Sequence, residues 1–103
     1  MLLANCSSIP KKDFKETYQR EICDKYSLYA NSKDLEGSLS LYADDALVNN
    51  NAVEPIVGIE AIKENFVEWY GSTKKINHSA TVLSAKRFGD QASAYGIWKV
   101  DQI

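Results

Sequence analysis

The sequence predicts an α+β domain, an antiparallel sheet packed on about three helices, and three observations carry that reading. Apolar residues recur every three to four positions over 13–30, 35–42 and 59–70, the spacing of helices that bury one face. From 76 to 100 the period drops to two, as in strands whose two faces differ. Between the two long strand-like runs stands Gly89-Asp90, a two-residue turn of the kind that closes hairpins. At 103 residues the chain amounts to one domain at most.

Residues 1–12 read as a flexible lead-in, and the domain spans 13–103. Asp13 opens the first helix, with Glu16 at capping-box spacing. Phe14, Tyr18, Ile22, Tyr26 and Tyr29 form one apolar, mostly aromatic stripe along it. The stretch "ANSKD" breaks this helix, and Asp34 caps a short second one whose Leu35, Leu39 and Tyr42 form the apolar side. Ala46-Leu47-Val48 is a short strand, entered past Asp44 and Asp45, which satisfy backbone groups there. The asparagine and Glu54-Pro55 stretch that follows is turn chemistry. Gly58 starts a third helix with Ile59, Ile62, Phe66 and Trp69 or Tyr70 on one face, and Gly71 stops it. Then come the two long strands. The first sets Ile76, His78, Ala80 and Val82 on one side. The second sets Ala92, Ala94, Gly96, Trp98 and Val100 on one side and Tyr95 and Ile97 on the other. This hairpin leaves an open sheet edge that something must cover.

Composition excludes several classes. Apolar residues make up 45% and charged residues 25% of the chain, the balance of a globular domain. The net charge is −2 with acids and bases interspersed, so no basic stripe marks a nucleic-acid surface. No run of eighteen apolar residues is present. Two cysteines and one histidine cannot fill a structural zinc site, and no cofactor is expected. Cys23 reads as a small apolar residue beside the helix stripe. Cys6 stands in "LLANCSS", which resembles the end of a lipoprotein signal, although only five residues precede it. Either Cys6 is a lipidation site and the protein is periplasmic or membrane-anchored, or the likeness is accidental and the protein is cytoplasmic.

The run "NSKDLEGSLSLYADDALV", the helix start "PIVGIEAIKENF" and the hairpin "GDQASAYGIW" together resemble the NTF2-like (cystatin-like α+β) superfamily, in the wording of its SnoaL-like and DUF4440 members. The likeness covers residues 13–101. It implies a strongly curved sheet wrapped around the helices and enclosing a conical cavity. Family members continue with two further long strands, so the resemblance implies a domain incomplete at its C-terminal end. Those strands carry part of the cavity wall, often a catalytic acid, and much of the usual dimer face. The fold hosts isomerases, cyclases, hydrolases and non-enzymatic binders alike.

Set beside ketosteroid isomerase, the best understood relative, residues 26–66 align almost without gaps. Its oxyanion-stabilising tyrosine falls on Tyr26, where a phenol in a dry cavity would donate to developing negative charge. Tyr26 is equally one more aromatic of the helix stripe. The isomerase carboxylate falls on Asn50, an amide that can orient a polar ligand but cannot act as a base. Asn49, Asn50 and Asn51 also suit a simple turn. His78 lies on an apolar face, either as a satisfied core group or as the one side chain whose ordinary pKa suits acid–base work near neutrality. Trp69, Tyr95 and Trp98 are candidates for cavity or dimer face, with core packing as the alternative. The expectation is a binding module for a small hydrophobic or amphipathic molecule, using Tyr26, Asn50 and Trp69. The alternatives are an acid–base isomerase, cyclase or lyase with Tyr26 and His78 as its catalytic pair, and a dimerisation domain. A homodimer is expected in any of these, with no nucleic-acid partner and membrane contact only through a lipid on Cys6.

Overall fold

The computed structural model describes residues 11–49 and 54–103, and within them the protein is α+β with antiparallel sheets. Helix α1 (Lys11–Tyr18) runs through a π-helical segment (Gln19–Asp24) into α2 (Lys25–Ser32). Asp13 thus lies within the helix and not at its cap. The π segment also corrects the expected stripe. Within it Ile22 is more than one-third exposed, whereas Tyr26 packs against the core. Lys33 ends α2 in the left-handed region, with φ 55°.

Asp34 caps α3 (Leu35–Leu39) as its sequence position predicts, accepting the Gly37 N–H at 2.9 Å. Strands β1 (Leu47–Val48) and β2 (Ile56–Val57) pair antiparallel across the Asn/Pro stretch. Asp44 serves the following helix through its backbone, its carbonyl accepting the Ile59 N–H at 2.9 Å. Helix α4 (Ile59–Ser72) starts after Gly58 and ends one residue beyond Gly71. Ile62, Phe66 and Tyr70 are its buried face, the i, i+4, i+8 set of an amphipathic helix.

Strands β3 (Ile76–Phe88) and β4 (Gln91–Gln102) form the long hairpin. Gly89 has φ 64° and Asp90 does not share the positive φ, the pattern of a II′ turn whose twist matches the strands. Pairing slips between Val82 and Ser84, leaving Leu83 as a bulge. Opposite it stands Gly96, where an added Cβ would collide with the Thr81 carbonyl oxygen. Only glycine permits that approach.

The core is the cluster of Ala30, Ile62, Phe66, Tyr70 and Ile76. Phe66 is its centre, with the rings of Tyr26, Tyr42, Trp69 and Tyr70 all between 5.4 and 6.2 Å away. A buried Ser38–Tyr70 hydrogen bond of 2.7 Å ties α3 to α4. The Cα radius of gyration is 15.3 Å, against about 13 Å for a compact chain of this size. The hairpin accounts for the difference, since Phe88, Tyr95 and Ile97 are all more than half exposed.

The two edges of the hairpin differ. On β3, the Asn31 amide accepts the His78 N–H at 2.7 Å and donates to the His78 carbonyl at 3.1 Å. One strand repeat further on, the Gln19 amide donates to the Ala80 carbonyl and accepts the Val82 N–H, both at 2.8 Å. Two amides of the helical segment thus take the place that a neighbouring strand would fill along β3. No such cover lies along β4 among the described residues.

Candidate functional site

A cavity of about 530 Å³ lies between the inner face of the hairpin, the π segment with the start of α2, and α4. Each wall follows from local periodicity. Strand alternation turns His78 and Ala80 of β3, and Trp98, Val100 and Gln102 of β4, to one side. Asn65 and Trp69, one turn apart on α4, form the opposite wall. The π segment contributes Ile22 and Cys23, and α2 contributes Tyr26. The lining is mostly apolar and aromatic and holds no Asp, Glu, Lys or Arg.

Tyr26, Trp69 and His78 therefore meet at one cavity, with Tyr26 and His78 ring centroids 4.9 Å apart. Asn50 and Cys6 lie outside the described residues. The Tyr26 ring lines the cavity, but its hydroxyl sits beside Tyr42. Burial, with Tyr42 and Tyr70 adjacent, pushes its pKa far above the ordinary phenol range. Burial also raises Tyr42 and Tyr70. His78 is buried, and desolvation lowers its pKa, so the imidazole is neutral at pH 7. Its Nδ1 pairs with Ser27 Oγ at 2.9 Å. Its plane lies within 9° of the Trp98 indole, at a centroid distance of 6.1 Å.

Trp98 is 61% exposed, and it stands at the cavity wall instead of in the core. Tyr95 is likewise exposed, which removes the core alternative for both. Trp69 donates its indole N–H to Gln102 Oε1 at 2.7 Å, joining α4 to the end of β4. Cys23 is half-buried, and burial together with Asp24 raises its thiol pKa. It also lines a second, smaller cavity of about 170 Å³, separated from the first at Ala80 and Trp98.

Ser27, Asn65 and Gln102 were not legible as site residues. Asn65 precedes Trp69 by one helical turn, and that spacing was the available signal. Ser27 meets His78 across 51 residues, a distance at which sequence pattern carries nothing. No cluster of His, Cys, Asp and Glu suited to a metal occurs among the described residues. No helix among them is long and apolar enough to cross a membrane. Compared with protein-family models and with curated proteins, the chain matches none.

Proposed function

We propose that the protein is a small-molecule binding module of NTF2-like architecture. The observation that carries this reading is the 530 Å³ cavity between helices and hairpin, walled by Trp69 and Trp98 and lined by a few polar groups. Size and composition both match ligand pockets, which are typically about 300–1,000 Å³ and mostly apolar. The order of helices, short strands, helix and long hairpin supports the superfamily reading, as does a cavity between the helices and one face of the hairpin. Acid–base catalysis has less support. His78 is a weak base when desolvated, and the Tyr26 hydroxyl faces Tyr42.

The test uses the two tryptophans, both of which line the cavity. Titration with the neutral dye N-phenyl-1-naphthylamine should give saturable dye enhancement and energy transfer from tryptophan. Trp69→Ala should weaken both. Unsaturable binding, or binding indifferent to Trp69, would sink the reading.

A second reading, assembly of two copies through the sheet, is favoured by the uncovered β4 edge and by Tyr95 and Ile97, exposed at 68% and 55%. Large exposed apolar residues beside an open edge mark an interaction surface. Sedimentation analysis, compared with a Tyr95→Glu, Ile97→Lys double variant, tests it.

A further inference from the structure

We infer that Ser27 is a positioning residue that holds His78 in the Nε2-protonated tautomer, so that the cavity accepts an uncharged, flat, ring-bearing ligand with a hydrogen-bond acceptor such as a ketone oxygen. This deepens the binding reading and rests on it for the ligand class, though not for the tautomer.

The tautomer follows from hydrogen accounting. Ser27 Oγ lies 2.9 Å from His78 Nδ1, and its hydroxyl has no other hydrogen-bond partner among the described residues. A half-buried hydroxyl hydrogen needs an acceptor, and a neutral imidazole has one bare nitrogen to offer. Ser27 therefore donates to Nδ1, and the ring proton resides on Nε2. Nε2 has no partner among the described residues and is not among the sealed, unpaired atoms. On a ring that lines the cavity within a residue only 8% exposed, that N–H is available to a cavity ligand.

The ligand class follows from the rest of the lining. With no Asp, Glu, Lys or Arg in the wall, a charged ligand would lose hydration without gaining a counter-charge. Gln102 Oε1 already accepts the Trp69 N–H, which takes one of its two acceptor sites and leaves both amide N–H donors for a ligand acceptor. The Trp98 indole, parallel to His78, extends a flat surface on which a planar ring can stack in offset fashion. The Nε2–H of His78 is the donor that a carbonyl on a ring bound beside Trp98 would take.

The experiment has two arms. Long-range ¹H–¹⁵N NMR of the only histidine in the chain reads the tautomer directly at pH 8. Wild type should show protonated Nε2 and bare Nδ1. Ser27→Ala should show a mixture, and Ser27→Thr should restore the wild-type pattern. In the second arm, tryptophan quenching compares flavone, the acceptor-free 2-phenylnaphthalene and anionic flavone-6-carboxylate. Flavone should bind about threefold to tenfold tighter than 2-phenylnaphthalene, the range of one neutral hydrogen bond, and the carboxylate more weakly still. Ser27→Ala should shrink the flavone preference in proportion to the Nε2-protonated fraction lost, and Ser27→Thr should keep it. Protonated Nδ1 in wild type would overturn the inference. So would equal binding of the two neutral probes, which would leave the binding module standing. Failure of all three probes would remove the binding module and the ligand class together.

Discussion

Replacing Asn31 by alanine removes two hydrogen bonds to one residue of β3, at 2.7 and 3.1 Å. Each contributes about 1 kcal/mol net, and a strand N–H left against a helix costs about 1–3 kcal/mol. Asn31 sits on the exposed side of α2, so water can reach part of the gap and the lower figure applies. Alanine also favours the helix over asparagine by roughly 0.5 kcal/mol. The expected net loss is about 1.5 kcal/mol, or a Tm lower by roughly 6–12 °C for a domain of this size. Urea unfolding should show a reduced midpoint with unchanged slope. Amide exchange localises the effect: the His78 N–H should lose protection, whereas the Val82 N–H, held by Gln19, should keep it. Asn31→Asp retains the acceptor but not the donor and should fall between the two. A loss under about 0.5 kcal/mol, the scatter of ordinary surface substitutions, with His78 protection intact, would refute the role given to the amide.

Gly96→Ala should destabilise by about 1–3 kcal/mol in the same urea assay, because its Cβ meets the Thr81 carbonyl across the bulge. The pH dependence of His78 has a definite sign. Its folded pKa lies below the unfolded value of about 6.5, so the unfolded chain binds more protons between the two. The stability it contributes is complete above about pH 6.5 and is lost as pH falls through the folded value. Melting temperatures of wild type and His78→Gln between pH 5 and 8 should converge toward acid. Tyr26 runs the opposite way. Its raised pKa keeps stability intact below about pH 10 and loses it as pH rises further. Tyr26→Phe should remove the latest component of the alkaline ultraviolet titration.

Much of the fold was legible because its signals are local. The Asp34 cap, the Ile62, Phe66 and Tyr70 face and the Gly89 turn each depend on residues a few positions apart. Alternation alone turned His78 inward with Ile76 and Val82. The features that were missed are long-range or subtle. Gln19 and Asn31 read as ordinary helix polar residues, and their partners lie more than 45 residues away. The π segment adds no residue type that a helix forbids, so nothing announced it. The Leu83 bulge did leave a trace, since glycine inside a strand marks a bulge or a close approach, and Gly96 sits opposite. In the site, Tyr26, Trp69 and His78 stood out as aromatic or titratable. Ser27, a small hydroxyl on a helix, carried no such flag.

The amide-covered flank of β3 bears on how copies of this protein can aggregate. Open-ended cross-strand polymerisation needs two adhesive flanks per molecule, one to receive and one to offer. Over residues 78–82 Asn31 and Gln19 occupy one flank, so across that stretch of the hairpin strand-to-strand growth has a single valence among the described residues, through β4. A species with one such valence stops at a pair and cannot extend into a fibre. Unlocking either amide would restore the second valence, and a stability variant would then become a fibrillation variant as well.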